Sequence, residues 1–111
     1  MKKKIIYIAH PIGGDVQGNL DKLNLIYNEL SKDESIVPFI PYYATVMGLD
    51  DSDPEARQKG MRHNYEFFYR NVIDEVWLFG DRISNGMGQE IMWADENSIQ
   101  VISKTEGTKR C

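Results

Sequence analysis

The sequence predicts an α/β fold in which a parallel sheet of four to five strands lies between two layers of helices. Short apolar runs alternate with segments whose apolar residues recur every three to four positions. These short runs are apolar almost throughout, which is typical of strands that are covered on both faces. The resulting order β-α-β-α-β-α-β, with Gly-rich loops after the first and third runs, indicates a parallel sheet wound with helices.

The composition indicates one globular domain over residues 1–111. Apolar residues make up 41% and charged residues 27% of the chain, which is typical of a folded rather than a disordered protein. The net charge is −4, whereas proteins that bind nucleic acid present a basic surface to the phosphates. We therefore expect a small molecule as the ligand, and no nucleic acid partner.

The sequence also favours a cytoplasmic protein without a membrane partner. The apolar run after Lys2–Lys4 is far shorter than the roughly 7–15 residues of a secretory signal core. No apolar stretch approaches the roughly 20 residues of a membrane-spanning helix. The single cysteine, Cys111, cannot build a disulfide framework.

The first half of the chain predicts two strands and one helix. Lys4–Ala9 is a continuous apolar run and predicts a buried parallel strand. Asn19 is a candidate N-cap for the helix that follows. Residues 36–40 predict the second strand, which Pro38 places at an edge of the sheet. We expect residues 41–53 to form a loop.

The second half predicts a long helical region, a strand, a helix and a last strand. Pro54 suits the first turn of a helix, and Gly60 is a candidate break within it. Apolar side chains of this region are predicted to share one helical face: Met61, Tyr65, Phe68, Tyr69 and Val72. The elements that follow are predicted as a strand over 74–80, a helix over 90–96, a strand over 99–103 and a flexible tail over 104–111.

The two Gly-rich loops are predicted to form the ligand site. Ligands of open parallel sheets bind beyond the carboxyl ends of the strands, where the strand order reverses. If the first and third strands are central neighbours, the loops His10–Gly18 and Asp81–Gly88 face each other there. The site is therefore expected in the crevice between these loops.

Glu90 is the candidate catalytic residue of the second loop. Gly86 and Gly88 permit close approach of a ligand to the backbone. If a helix begins there, Glu90 lies in its first turn, where the amide groups lower the pKa of a carboxyl group. An ionised carboxylate can attack an anomeric carbon. The alternative is that Glu90 only complements the helix dipole.

Other side chains of the crevice allow two interpretations each. Tyr7 is either a core residue or a hydroxyl that holds the carboxylate, and His10 is either a ligand contact or part of a structural turn. The two histidines, His10 and His63, do not form a metal-binding spacing. A dinucleotide site is disfavoured because Ile91 stands where a third glycine is required.

Two segments of the sequence resemble a known family. The first is Tyr7–Gly14, and the second runs from Asp74–Phe79 into the pattern S-x-G-x-G-x-E at Ser84–Glu90. Both are similar to segments of the nucleoside 2-deoxyribosyltransferase superfamily, and within it of the 2'-deoxynucleoside 5'-phosphate N-hydrolases. The resemblance implies a Rossmann/flavodoxin-like three-layer sandwich that cleaves or transfers the N-glycosidic bond of a 2'-deoxynucleoside or its 5'-phosphate.

The resemblance also implies residue roles. It makes Glu90 the nucleophile, Tyr7 the hydroxyl that orients it, and Glu66 the residue at the position of the family's acid, with Asn64 and Arg62 as other residues that could face the site. It implies no metal or organic cofactor, and a homodimer or larger homo-oligomer. The candidate substrate-binding residues are His10, Pro11, Ile12, Gly13, Gly14, Arg62, Asn64, Asp81, Ser84, Gly86, Met87 and Gly88.

The sequence departs from the family in the first loop. The hydrolases hold the 5'-phosphate with a serine and an arginine, and Pro11 and Gly13 occupy those positions here. Two functions therefore stay open. One is an N-glycosidase or deoxyribosyltransferase, and the other is a nucleotide-binding module of the same fold that has lost the chemistry.

Overall fold

The computed structural model describes residues 2–49 and 52–110, so that Cys111 lies outside the described residues. It contains a four-stranded parallel sheet of order β2-β1-β3-β4. The strands are β1 Lys4–Ala9, β2 Ile36–Phe39, β3 Glu75–Leu78 and β4 Gln100–Ser103. Together with the helices packed on this sheet, they confirm the predicted α/β sandwich.

Helices connect the strands throughout the described chain. They are α1 Val16–Leu30, α2 Tyr42–Gly48, α3 Pro54–Tyr69 and α4 Asn85–Glu96, and a 3-10 turn Glu106–Thr108 follows β4. Within the described ranges, none of the helices has the length and apolar character that crossing a membrane requires.

The central strand β1 carries the core. Ile6, Tyr7, Ile8 and Ala9 are fully buried, as the continuous apolar run predicted. β1 pairs with β2 on one side and with β3 on the other. The predicted central pair β1–β3 and the predicted edge position of β2 are thus both confirmed. The strand order reverses at β1–β3, where a crevice is expected.

Both helices that follow Gly-rich loops begin earlier than predicted. Asp15, not Asn19, caps α1, since its carboxylate accepts a hydrogen bond of 3.0 Å from the Gly18 amide. Asn19 instead donates to the Ile12 carbonyl at 2.9 Å and so ties the first loop to α1. Ser84 caps α4, which starts five residues before Glu90.

The segment predicted as a loop over 41–53 contains the helix α2. Its first residue, Tyr42, is buried, and its hydroxyl donates to the Ile8 carbonyl at 2.5 Å. Periodicity does not reveal so short a helix, because its stability comes from packing on the sheet and on α3.

The helix α3 is continuous through Gly60, contrary to the predicted break. A Cβ at Gly60 would lie 3.6 Å from the Thr45 side chain, which is an ordinary van der Waals distance, so the packing of α2 on α3 does not require glycine at this position. The predicted apolar face is wrong in part. Asn64 and Phe68 are the buried residues of α3, whereas Tyr69 is 64% exposed.

The predicted flexible tail is wrong for the segment after β4. Thr108 is fully buried, and its hydroxyl is 2.7 Å from that of Ser103 and donates to the Leu78 carbonyl at 3.3 Å. The Lys104 amide also donates to Leu78, at 2.9 Å. These hydrogen bonds hold the segment against the end of β3, because buried polar groups require partners.

We predict that Gly107→Ala destabilises the fold. A Cβ there would lie 2.2 Å from the Asp81 backbone oxygen, so the backbone must shift. The free energy of unfolding in urea should fall by about 1–3 kcal/mol. The control is Gly88→Ala, where no atom lies within 4 Å and the helix should gain about 0.5–1 kcal/mol. Equal stabilities of the two variants would contradict the close packing of Gly107 against the Asp81 backbone.

Candidate functional site

A cleft of about 850 Å³ opens at the carboxyl ends of β1 and β3. Its walls are the loop after β1, the helices α2 and α3, and the start of α4 with the loop before it. This volume lies within the roughly 300–1,000 Å³ of small-molecule sites. The cleft thus occupies the position that the strand order predicts.

Three buried polar side chains meet at the wall of this cleft. The Tyr7 hydroxyl donates to Glu90 Oε2 and accepts a hydrogen bond of 2.6 Å from Asn64 Nδ2. Asn64 Nδ2 also lies 3.4 Å from Glu90 Oε2. Tyr7 is fully buried, and Asn64 and Glu90 are 6% and 7% exposed. We call these three residues the carboxyl cluster.

Three different elements bring the carboxyl cluster together. Tyr7 comes from β1, Asn64 from α3 and Glu90 from α4. Aromatic rings fix the Tyr7 ring, whose centroid lies 4.9 Å from that of Phe68 and 5.7 Å from that of Tyr42. The position of the Tyr7 hydroxyl is therefore set by the core.

Burial raises the pKa of Glu90 to about 7, against the lowering effect of its hydrogen bonds to Tyr7 and Asn64. The prediction that helix amides lower this pKa is wrong. Because α4 begins at Asn85, Glu90 lies in the second turn, whose amide groups bond within the helix. Burial and the nearby Glu90 charge raise the pKa of Tyr7 well above its ordinary value, so Tyr7 remains the donor.

The carboxyl cluster contains an unsatisfied acceptor. Asn64 Oδ1 is buried without a hydrogen-bond partner among residues 2–49 and 52–110. Such atoms are rare in folded proteins and cost about 1–3 kcal/mol each. The arrangement is therefore not one that stability alone would favour.

The first loop contributes most of its predicted residues to the cleft. His10, Ile12, Gly13 and Gly14 line it. Pro11 is buried and does not line the cleft; it packs against Gly80, where a Cβ would lie 2.6 Å from Pro11 Cδ. Its role is therefore structural.

The second loop also contributes only in part. Ser84, Gly86 and Met87 line the cleft, whereas the exposed residues Asp81 and Gly88 do not. Ser84 Oγ accepts a hydrogen bond of 3.2 Å from the Met87 amide, so this hydroxyl caps α4.

The structure places Glu66 and Arg62 outside the cleft, so these predictions are wrong. Glu66 is exposed and pairs with Arg70 at 3.0 Å, and Arg62 is exposed as well. Successive helical residues are about 100° apart, so Glu66 points away from the face that Asn64 and Phe68 share. Of the three α3 candidates, Asn64 is the one in the site.

The cleft also contains residues that were not predicted from the sequence. Tyr42, Arg57 and Arg82 line it, and burial followed by the Glu90 charge raises the pKa of Tyr42 well above its ordinary value. The one signal in the sequence that could have indicated Tyr42 is the pair of adjacent tyrosines, Tyr42 and Tyr43, after the second strand. Within the described part of the chain, no group of three His, Cys, Asp or Glu side chains could hold a metal ion.

We predict that Glu90 makes the stability pH-dependent. The native state keeps the Glu90 proton up to about pH 7, whereas an unfolded glutamate releases it near pH ~4.3. The native state binds more protons in this interval, so the free energy of unfolding falls as the pH rises. Between pH 5 and pH 8, urea unfolding should show a loss about 3 kcal/mol larger than in Glu90→Gln. If the free energy of unfolding depended on pH equally in the wild type and in Glu90→Gln, Glu90 would not be a buried group with a raised pKa.

Comparisons with known proteins show the fold and the family. The chain is similar to the crystal structure of a conserved protein from Enterococcus faecalis V583, with a TM-score of 0.60 and 21% identity. The match covers 91% of this chain and 62% of that one, and it shows the fold alone. None of the curated proteins matches the sequence. Residues 4–104 match the family described as domain of unknown function (DUF7768), and the chain therefore belongs to that family.

Proposed function

We propose that the protein cleaves or transfers the N-glycosidic bond of a 2'-deoxynucleoside or its 5'-phosphate, with Glu90 as nucleophile. The observation that carries the proposal is the carboxyl cluster in the wall of a cleft of about 850 Å³. The resemblance of the two loops to 2-deoxyribosyltransferases supports the choice of substrate. The homo-oligomeric state and the cytoplasmic setting rest on the resemblance and on the sequence alone.

The proposed reaction has two steps at C1' of the pentose. The ionised Glu90 carboxylate attacks C1', the bond to the base breaks, and the base leaves with the electron pair and takes a proton from water. Water or a second base then attacks C1', and the bond to Glu90 breaks. The Tyr7 hydroxyl, which donates to Glu90, orients the carboxylate throughout.

A second candidate function is a nucleotide-binding module without turnover. The observation that favours it is the exposed position of Glu66, which leaves Glu90 as the only carboxyl group among the described residues that line the cleft. An enzyme of this class needs a proton for the leaving base. In this alternative the cleft senses or sequesters the nucleotide.

We predict that Glu90→Gln abolishes release of the free base from deoxynucleosides and their 5'-phosphates. Loss of the nucleophile should lower kcat/KM by about a thousandfold or more, which chromatography of the products measures. Glu66→Gln is the matched control, because the same chemical change at an exposed position should leave kcat/KM within about twofold.

The outcomes separate the two functions. Base release that survives Glu90→Gln would contradict the nucleophile. Tight nucleotide binding without release from any substrate would favour the binding module. A ligand at a concentration of a hundred times its Kd adds about 2.7 kcal/mol to the free energy of unfolding. If no nucleotide raised the melting temperature, both proposed functions would therefore be contradicted.

The pH dependence of the reaction is a further prediction. A nucleophile acts in its ionised form, so kcat/KM should rise with pH through the Glu90 pKa of about 7. If Glu90 instead acts as a proton donor, kcat/KM should fall across the same range. Initial rates at intervals between pH 5.5 and pH 8.5, with the fold monitored by circular dichroism, distinguish these roles.

A further inference from the structure

Asn64 has a hydrogen-bond acceptor that the protein itself leaves unused. The side chain lines the cleft and is 6% exposed. Its Oδ1 has no partner anywhere in the described part of the chain, whereas its Nδ2 donates to the Tyr7 hydroxyl at 2.6 Å. A buried acceptor of this kind is rare and lowers the stability of the empty protein. Because Asn64 belongs to the wall of the cleft, a ligand can supply the missing donor.

The carboxyl cluster fixes which end of the Asn64 amide is the acceptor. The Tyr7 hydroxyl gives its proton to Glu90, so its oxygen can only accept from Asn64. Turning the amide over would place Oδ1 against this oxygen and beside Glu90 Oε2, where it would meet two acceptors in place of the two that Nδ2 now faces. The cluster therefore holds Nδ2, and Oδ1 remains the free acceptor.

The free acceptor is close to the proposed nucleophile. Asn64 Nδ2 lies 3.4 Å from Glu90 Oε2. The two heteroatoms of an amide are about 2.3 Å apart, so Asn64 Oδ1 lies within about 6 Å of Glu90 Oε2. A carbon under attack lies about 3–3.5 Å from its nucleophile. The missing donor should therefore belong to the part of the ligand next to the carbon that Glu90 attacks.

The stereochemistry of a nucleoside identifies this donor. A nucleophile attacks C1' from the face opposite the base, so the side chains beside Glu90 face the pentose rather than the base. In a β-ribonucleoside the 2'-hydroxyl group lies on the attacked face, and C2' is bonded directly to C1'. The 2'-hydroxyl group is thus the hydroxyl of the pentose nearest to the reacting carbon. A 2'-deoxynucleoside has only hydrogen at C2' and leaves Asn64 Oδ1 unpaired.

We propose that Asn64 Oδ1 accepts a hydrogen bond from the 2'-hydroxyl group of a ribosyl ligand, so that the cleft binds ribonucleosides or their 5'-phosphates more tightly than the 2'-deoxy compounds. The proposal rests on the proposed function for the attack of Glu90 on C1', and it extends the substrates to the ribosyl class. The bonds that form and break at C1' are the same, because the 2'-hydroxyl group takes no part in them. In glycoside hydrolases, hydrogen bonds to the 2-hydroxyl group strengthen in the transition state.

A series of ligands tests this hydrogen bond in the wild-type protein. A thermal-shift panel of the four common ribonucleosides and their 5'-phosphates first identifies the base that binds. Calorimetry at pH 5.5, where Glu90 is largely protonated and turnover should be slow, then compares this ligand with its 2'-deoxy, 2'-deoxy-2'-fluoro and 3'-deoxy analogues. Loss of the 2'-hydroxyl group should weaken binding about tenfold or more, because Oδ1 then stays buried and unpaired. Fluorine cannot donate and should weaken binding at least as much, whereas loss of the 3'-hydroxyl group should have a smaller effect.

Asn64→Leu tests the residue, and Asn85→Leu is its matched control. Leucine has a similar size but no acceptor, so Asn64→Leu should bind the ribosyl and 2'-deoxyribosyl ligands with affinities within about twofold of each other. Asn85 also lines the cleft, at the exposed start of α4. Asn85→Leu should keep the wild-type preference for the ribosyl ligand. Circular dichroism verifies the fold of both variants, and the ligand series in the wild type depends on neither.

The inference is overturned by equal affinity for the ribosyl and 2'-deoxyribosyl ligands, by undiminished binding of the 2'-fluoro analogue, or by a preference that survives Asn64→Leu. A larger loss with the 3'-deoxy than with the 2'-deoxy analogue assigns the donor to the 3'-hydroxyl group and also overturns it, as does a panel in which no ribosyl ligand binds.

Failure of the proposed function looks different. Binding that prefers the ribosyl ligand, without base release from any substrate, supports the inference and contradicts the glycosidase. Base release from 2'-deoxynucleosides, without binding of ribonucleosides, retains the glycosidase and overturns the inference.

Discussion

The site depends on the burial of one carboxyl group beneath the hydroxyl of Tyr7. Removing an ionised carboxylate from water is costly unless hydrogen bonds compensate. Glu90 obtains these from Tyr7 and Asn64, and the balance leaves its pKa at about 7. Because each of the three residues comes from a different element, α3 and α4 must both pack against β1 at this point. The fold and the site thus both require that α3 and α4 pack against β1 at Tyr7.

The cleft combines two electrostatic environments. Its wall at the carboxyl cluster is buried and hydrogen-bonded, and Glu90 exchanges its proton near neutral pH. Its rim, with Arg57, Arg82 and the start of α4, is positive. A nucleotide has the same division, with a weakly polar pentose and an anionic phosphate. This match supports a nucleotide as the proposed ligand.

The sequence predicted the position of the site better than it predicted which residues form the site. Strand β1, the β1–β3 crevice and Glu90 could be found from an apolar run, two Gly-rich loops and the S-x-G-x-G-x-E pattern. Glu66 was predicted as the acid, with Asn64 and Arg62 as other residues that could face the site, because an alignment counts positions, whereas a helix rotates about 100° per residue. The segment around Thr108 was predicted as flexible because its composition is polar. Its hydrogen bonds to β3 are contacts with a distant part of the chain, which the composition does not indicate.

The sequence by itself determined the order of the strands and of the three longer helices, the edge position of β2 and the two loops at the mouth of the cleft, since hydrophobic periodicity and turn residues act locally. Tertiary structure alone decided the features that depend on distant contacts. These are the packing of Tyr42, the first residue of α2, against β1, the choice of Asn64 and the pKa of Glu90. The desolvation of a carboxyl group depends on all the elements that surround it in the fold. It therefore cannot be predicted from a local sequence pattern.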